Sequence, residues 1–278
     1  MSTISPLTPQ VGVEVVGVSG HDFAGSAAAK ECGELLQRFG VVVYRDAFID
    51  DDDLIELSRS MGEVAVVPTG EHERPEIQTI TLDPGKTSPV LAAIRRGNFF
   101  WHFDGATETT PQKGTFLAAR DVDDSGEGGT QFASTYVAYE TLSDDDKALI
   151  ADLQVVHSFA AAQALATPDP TETERKMWDR VPTRVHPLVW SRRDGRKSLL
   201  LGATAGQVVG WSEPDSRALL DRLLDWATRP DFVVHHDWRP GDLVTWDNTG
   251  MVHRAMPFEP TSPRLMHRTT LVGEEAVA

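Results

Sequence analysis

The tetrapeptide Trp101-His102-Phe103-Asp104 is the stretch on which the interpretation of this 278-residue sequence depends. In an extended strand, residues i and i+2 project to the same side, so His102 and Asp104 can offer an imidazole nitrogen and a carboxylate oxygen to one point. His253 is a third candidate ligand, far along the chain. Two histidines and one carboxylate on one side of a metal suit non-haem Fe(II) oxygenases. However, an H-x-D triplet alone is common by chance, and a lone histidine is more often structural.

The segment from Pro263 to Leu271 adds to this pattern. It alternates like a half-buried strand, which places Arg264, Met266 and Arg268 on one face. If that face points inward, the two arginines need an anionic partner, because burying an unpaired charge is costly. If the face is exposed to solvent, they are ordinary surface charges. Both interpretations are open at this point.

Short β-rich segments separated by turn residues predict a mainly β core of the α+β class, closed as a sandwich or barrel with peripheral helices. Asp194-Gly195 and Pro240-Gly241 are typical of tight turns. We expect strands at residues 41–44, 76–82, 114–119, 130–134, 153–159, 185–191, 198–201, 232–238, 243–246 and 265–272.

Capping residues and apolar spacing predict the helices. We expect one at residues 26–39, capped by Ser26 and ended by Gly40, and one after the acidic run 50–53. Further helices are expected from Ser143, over 171–180, and over 213–228 with Ser212 as its cap. The chain is expected to be a single domain, 1–278. The segments 66–96 and 160–182, rich in Pro, Thr and charge, are expected to be lid loops over the mouth of a pocket.

Composition argues against several classes of function. Lys and Arg total 26 against 42 Asp and Glu, a formal net charge of −16, so general binding to nucleic acid or anionic membranes is not expected. Cys32 is the only cysteine, which excludes an intrachain disulfide and a multi-cysteine metal site. The sequence has neither a signal-peptide pattern nor an apolar run of about 18 residues. A cytoplasmic, soluble protein is the expectation.

Several short elements occur together in an order and spacing that is far more specific than any one of them. With them the sequence resembles the taurine dioxygenase and TfdA-type family of Fe(II)/2-oxoglutarate-dependent dioxygenases, from about Val41 to Gly273. The elements are W-H-x-D at 101–104, G-G-T at 128–130, A-Y-E-x-L-S at 138–143, V-H-S at 156–158, W-D-N…H-R-A at 246–255, and the R-x-x-x-R pair Arg264 and Arg268.

The resemblance implies a double-stranded β-helix, or jelly roll, with additional helices outside it. It implies that His102, Asp104 and His253 ligate Fe(II). It also implies that Arg264 forms a charge-assisted pair with the distal carboxylate of 2-oxoglutarate, assisted by the hydroxyl of Thr130. Hydroxylation by O₂ with release of succinate and CO₂ is the implied reaction.

The resemblance bears on the substrate as well. Arg268 and Asn98 match positions that contact the acidic group of the substrate in sulfonate-oxidising members. The chain departs from the common pattern at Phe103, between the two ligands, and at Phe99 and Phe100 before Trp101. Segment 89–96 has no close match to the taurine enzymes. The expected substrate is a small carboxylate, sulfonate or sulfate ester, larger or more aromatic than taurine.

Other interpretations are carried forward with this one. The same three residues could hold zinc in a metal-dependent hydrolase. The fold could also serve as a catalytically silent jelly-roll binding protein, or as a scaffold. Related enzymes commonly form dimers or tetramers, so a homo-oligomer is expected.

Overall fold

The computed structural model describes residues 2–67, 70–122 and 127–277. Pro68 and Thr69, within the predicted mouth segment 66–96, lie outside this range. The strands within it are β1 (Thr3–Pro6), β2 (Val13–Val16), β3 (Val41–Arg45), β4 (Gln78–Ile80), β5 (Gly114–Asp121), β6 (Thr130–Ser134), β7 (Gln154–His157), β8 (Arg184–Pro187), β9 (Val189–Ser191), β10 (Lys197–Leu199), β11 (Ala205–Val208), β12 (Val233–His236), β13 (Leu243–Asp247), β14 (Met251–Ala255) and β15 (Leu265–Leu271).

The helices lie between and outside these strands. They are α1 (Ser26–Phe39), α2 (Asp51–Met61), α3 (Pro89–Arg95), α4 (Thr135–Glu140), α5 (Asp144–Ile150), α6 (Phe159–Ala166), α7 (Glu172–Trp178) and α8 (Glu213–Ala227). In the part of the chain that the structure describes, none of them combines the length and apolarity needed to cross a bilayer.

A seven-stranded sheet forms one layer, in the order β1-β2-β3-β13-β5-β15-β4. Its strands pair antiparallel except β2 with β3. The side chains of β3 explain how the sheet is covered, because successive residues face opposite sides. Val42 and Tyr44 pack with α1 and α2, whereas Val41 and Val43 pack on the inner face. The sheet therefore has an outer face under helices and an inner face toward the second layer.

The second layer contains the three-stranded sheet β12-β6-β14. Phe132 of β6 and Val234 of β12 pack against Leu117, Val244 and Met266 of the large sheet, so the two layers enclose one core. Two smaller sheets, β11-β7-β8 and β10-β9, pack with α8 around another cluster of apolar residues. This architecture confirms the predicted jelly-roll core with peripheral helices.

Most of the predicted helix boundaries hold, because they rest on local capping chemistry. Ser143 accepts a hydrogen bond from the backbone N–H of Asp146, Ser212 caps α8 in the same way, and Gly40 ends α1 in the left-handed region at φ 75°. The predicted bounds of α1 are correct, but its predicted cap was wrong. Gly25, not Ser26, precedes the helix, and no side chain caps it.

The two mouth segments are more ordered than their composition suggests. Segment 66–96 contains β4 and α3, and segment 160–182 contains most of α6 and all of α7, so neither is a loop throughout. Strand β4 and helix α7 lie within the predicted strand 76–82 and helix 171–180, whereas α3 and α6 were not predicted. Tertiary contacts account for part of this, since short helices gain most of their stability from packing. Gln163 of α6 donates to the carbonyl of Ile94 in α3. Strands β1, β2, β11 and β14 were not predicted.

Candidate active site

Backbone pairing brings the two histidines together. His102 follows the 3₁₀ turn Arg96–Phe99 and pairs with His253 of β14 in an isolated antiparallel bridge, with N···O distances of 3.0 and 2.8 Å. The expected regular strand over 101–104 is absent, because Asp104 already lies in a turn. Gly202 makes room for this segment, since a Cβ atom there would lie 2.5 Å from the carbonyl oxygen of Trp101.

The three predicted ligand residues meet at one point. Nε2 of His102 lies 4.0 Å from Oδ1 of Asp104, and Nε2 of His253 lies 3.7 Å from Oδ2. One candidate ligand atom from each residue lies within 4.8 Å of the other two. These separations are too long for hydrogen bonds but about twice a metal–ligand bond of roughly 2.0–2.2 Å. The donor set of two imidazoles and one carboxylate therefore fits a divalent transition metal.

The protonation of the histidines favours this use. Nδ1 of His102 lies 2.8 Å from the carbonyl oxygen of Phe100, so the N–H is held there and the lone pair of Nε2 faces Asp104. Burial lowers the pKa of His102, and burial followed by the neighbouring His102 lowers the pKa of His253 well below its usual value. Both rings are thus kept neutral, as metal ligation requires.

Asp104 is held as a carboxylate. Burial alone would raise its pKa, but Arg268, followed by His253 and His102, lowers the pKa of this carboxyl below its usual value. Nη2 of Arg268 lies 2.7 Å from Oδ2 of Asp104, and Thr115 donates its hydroxyl to the same oxygen across 3.2 Å. The acid is therefore ionised and anchored from the side of the large sheet.

Arg264 is a buried cation, only 3% exposed. Its Nε donates to the carbonyl of Gly128 across 2.9 Å, and its guanidinium carbon lies 4.7 Å from the ring centre of Phe258. Within the described ranges no carboxylate is paired with it. Burial lowers its pKa to about 10, so it remains charged at neutral pH. Gly128 is needed here, because a Cβ atom would lie 2.6 Å from Cδ of Arg264.

Thr130 lies at the same end of the site, 3% exposed. Its hydroxyl oxygen accepts a hydrogen bond of 2.9 Å from Nε1 of Trp238. An indole N–H can only donate, so the hydroxyl proton of Thr130 remains available to an acceptor. No local sequence pattern predicts this contact, because Trp238 and Thr130 meet only through the pairing of β12 with β6.

One cavity connects these groups. His102, His253, Thr130, Arg264, Arg268 and Asn98 all contribute to its lining, so the predicted site residues other than Asp104 surround a common space. Apolar side chains form much of the remaining wall: Ile80, Leu82, Phe99, Leu117, Ala255 and Phe258. The space can therefore accommodate an acid with an apolar body.

The two mouth segments contribute unequally to this cavity. From segment 66–96, Ile80, Thr81, Leu82 and Arg95 line it, whereas no residue of segment 160–182 does. Arg95, at the end of α3, is buried and forms an ion pair with Glu71, which joins the two ends of segment 66–96. Segment 160–182 acts indirectly, through the packing of α6 on the turn that carries Asn98.

A second group of candidate ligands lies outside this cavity. Asp51, His72 and His267 also place ligand-type atoms within 4.8 Å of one another. Here, however, Nη2 of Arg120 already lies 2.6 Å from Oδ1 of Asp51, and its Nε lies 3.1 Å from Nδ1 of His267. The guanidinium occupies the place of a cation, so this group is best described as an ion-pair cluster.

Comparisons with known proteins agree with this geometry. Residues 3–270 match the family described as "Taurine catabolism dioxygenase TauD, TfdA family". The (S)-phenoxypropionate/alpha-ketoglutarate-dioxygenase of Sphingobium herbicidovorans is 30% identical over 98% of this chain and 96% of its own length. The alpha-ketoglutarate-dependent 2,4-dichlorophenoxyacetate dioxygenase of Cupriavidus pinatubonensis is 30% identical over 100% of both chains. A crystal structure of AAD-2 with Mn(II) and N-oxalylglycine superimposes with a TM-score of 0.81 at 28% identity, covering 100% of both chains.

Proposed function

The chain belongs to the TauD/TfdA dioxygenase family, and on that basis we propose that it hydroxylates a small organic acid with Fe(II), 2-oxoglutarate and O₂, releasing succinate and CO₂. It is accordingly an oxidoreductase of the 2-oxoglutarate-dependent dioxygenase class. The observation that carries the proposal is that the two histidines beside Asp104 and the buried cation Arg264 line one cavity.

His102, Asp104 and His253 are the residues that would hold the iron. Neutral imidazoles and an ionised carboxylate are the ligands that an Fe(II) oxygenase site uses, and the three come from one side. When bound, the iron supplies the oxidising power for decarboxylation of 2-oxoglutarate and hydroxylation of the substrate. The protein contributes neutral ring nitrogens, a fixed carboxylate and a mostly apolar wall that limits access of water.

Arg264 and Thr130 would bind the distal carboxylate of 2-oxoglutarate. The planar guanidinium matches a carboxylate, and a buried arginine gains strongly from an anionic partner. Trp238 supports this assignment, because its N–H occupies a lone pair of the Thr130 hydroxyl and leaves the proton to donate to the incoming acid. These three residues would fix the orientation of the co-substrate.

Arg268 and Asn98 would bind the acidic group of the substrate. Nε and Nη2 of Arg268 donate to Thr270, Asp104 and Gln112, whereas Nη1 has no hydrogen bond to any described residue. Nη1 can therefore donate to an acid in the cavity without breaking the contact with Asp104. The aromatic wall, together with relatives named for phenoxy acids, favours a carboxylic acid with an aromatic body. Sulfonates and sulfate esters carry the same charge and belong in the same screen.

The test is a screen of acidic compounds for succinate release. Purified protein with Fe(II), ascorbate and 2-oxoglutarate is incubated with aryloxy acids, sulfonates and alkyl sulfates, and succinate and product are measured by mass spectrometry. We expect at least one acid to give succinate and hydroxylated product in equal amounts. Hydrolysis of a panel ester with Zn(II) and no succinate would favour the hydrolase. Neither product, with an acid bound, would favour the silent binding protein.

Three further expectations remain predictions: a homo-oligomer, either dimer or tetramer; a cytoplasmic location; and one domain over residues 1–278. Light scattering measures the first, fractionation of producing cells the second, and limited proteolysis the third. A monomer, a secreted protein or two separately stable fragments would contradict them in turn.

A further inference from the structure

A series of hydrogen bonds between buried side chains leads from the cavity wall to Oδ2 of Asp104. Nε1 of Trp246 lies 2.8 Å from Oδ1 of Asn248, Nδ2 of Asn248 lies 2.8 Å from Oγ1 of Thr115, and Oγ1 of Thr115 lies 3.2 Å from Oδ2 of Asp104. Trp246, Asn248 and Thr115 are exposed by 2%, 1% and 0%. Water therefore offers these groups no alternative partner, and each bond depends on the next.

The direction of every bond in this chain follows from its two ends. The indole N–H of Trp246 can only donate, so the amide oxygen of Asn248 faces it and the amide nitrogen faces Thr115. The hydroxyl of Thr115 accepts that bond and has one proton, which is directed to Asp104. An ionised carboxylate can only accept. Every hydrogen bond in the series is therefore donated in one direction, from Trp246 toward Asp104.

The two oxygens of Asp104 are thereby made different. Oδ2 accepts from Thr115 and from Nη2 of Arg268, whereas Oδ1 accepts no hydrogen bond from the residues that the structure describes. We propose that Thr115 and Asn248 are positioning residues that hold Asp104 so that Oδ1 is the oxygen offered to the metal. This inference rests on the proposed function, since it assumes that the site binds a metal.

The acidic residue that precedes Asn248 is not part of this hydrogen-bond chain. Asp247, an acid three residues before Gly250, accepts from the backbone N–H of Thr249 and has its second oxygen 3.8 Å from Nη2 of Arg196. Its side chain serves the turn after β13. The neutral amide of Asn248 is the group that reaches toward Asp104, and it does so because β13 pairs with β5, which carries Thr115.

Metal affinity measured directly separates positioning from mere structural support. Metal-free protein is titrated anaerobically with Co(II), following the visible absorption of the bound ion and the heat of binding. Thr115→Val removes the hydroxyl at nearly constant shape, and Thr115→Ser retains it. We expect Thr115→Val to weaken Co(II) binding by roughly 10-fold and change the absorption envelope, as for other outer partners of metal ligands. Thr115→Ser stays within about twofold of the wild type.

A second variant tests the order of the chain. Asn248→Leu leaves the hydroxyl of Thr115 in place but removes the group that directs it, so its loss of affinity is smaller than that of Thr115→Val. Adding Asn248→Leu to Thr115→Val then costs no further affinity, because the two act in series. Wild-type Co(II) affinity and absorption in a folded Thr115→Val protein overturn the inference. So does equal damage by Thr115→Ser, or fully additive losses.

Asp104→Ala distinguishes failure of this inference from failure of the proposed function. If Asp104→Ala binds Co(II) as tightly as the wild type, the metal site itself is wrongly assigned. If Asp104→Ala loses the metal while Thr115→Val keeps it, the metal site stands and only the positioning role is refuted. Thermal melts of each metal-free variant establish that the proteins compared are folded.

Discussion

Arg268 donates from Nη2 to Oδ2 of Asp104 across 2.7 Å, so one guanidinium both lines the cavity and contacts the carboxylate that faces the two histidines. An arginine with only one of these functions would alter only substrate binding or only the metal site when it is removed. The double contact predicts that its removal affects both.

Arg268→Ala should raise KM for the acidic substrate and lower kcat as well. Loss of a charge-assisted hydrogen bond is worth about 1.5–3 kcal/mol, so we expect kcat/KM to fall by about 10- to 100-fold or more. Steady-state kinetics at saturating 2-oxoglutarate measure both parameters. The affinity for 2-oxoglutarate, which is bound by other residues, should change little. An unchanged KM for the substrate would contradict the assignment.

Arg264→Ala should act on the co-substrate instead. The variant leaves the distal carboxylate of 2-oxoglutarate without its charged partner, so its binding should weaken by about 10- to 100-fold. Calorimetry with 2-oxoglutarate and Mn(II) under anaerobic conditions measures this without turnover. Arg222→Ala is the control, because Arg222 pairs with Asp146 on the outer helices. Equal binding by Arg264→Ala and the control would refute the pairing.

Trp238→Phe should weaken 2-oxoglutarate binding through Thr130. The substitution keeps an aromatic ring but removes the N–H that occupies the hydroxyl of Thr130, for an expected loss of about 2- to 10-fold. In a double-mutant cycle with Thr130→Val, the two losses should not add, since they remove one donor arrangement. Thr130→Ser, which keeps the hydroxyl, serves as the conservative comparison. Additive losses would indicate that Trp238 acts by packing alone.

His157 should make the fold sensitive to acid. Burial, followed by the neighbouring His186, lowers the pKa of His157 to about 3. Its imidazole thus stays neutral in the fold while the unfolded chain takes up a proton near its ordinary pKa of about 6.5. The unfolded state therefore binds more protons between these values, and stability falls as pH drops from about 6.5 to about 3.

The variant His157→Leu isolates this effect. It should lower stability at pH 7 but flatten its decline in acid by up to about 1.4 kcal/mol per pH unit. Urea unfolding at a series of pH values measures the slope. Thr204→Val removes the hydroxyl that lies 2.9 Å from Nδ1 of His157 but leaves the titrating ring, so it should keep the wild-type slope. A wild-type slope in His157→Leu would contradict the prediction.

Local chemistry explains which parts of the fold could be predicted. Helix α8 begins after Ser212 because that hydroxyl caps it, and this signal lies within four residues of sequence. Strand β14 was not predicted, although it carries His253. Met251, Val252 and His253 are all buried, so the strand lacks the alternation that reveals a half-exposed one.

The candidate site likewise has residues that the sequence predicts and residues that it does not. Spacing and residue type were enough to nominate His102, Asp104 and His253, and the structure brings them together. The roles of Thr115 and Asn248 could not be predicted, because they depend on the pairing of β5 with β13 rather than on any local pattern. Polar residues buried by strand pairing carry no signal in a single sequence until their partners are known.

Gly128 sets a limit on how this protein can be re-engineered. With φ at 68° and the side chain of Arg264 pressed against it, the position has no space even for a methyl group. Mutant libraries intended to change which acids are accepted should leave this glycine untouched. They should diversify apolar residues of the wall such as Phe99 and Phe258, which line the cavity without carrying charge.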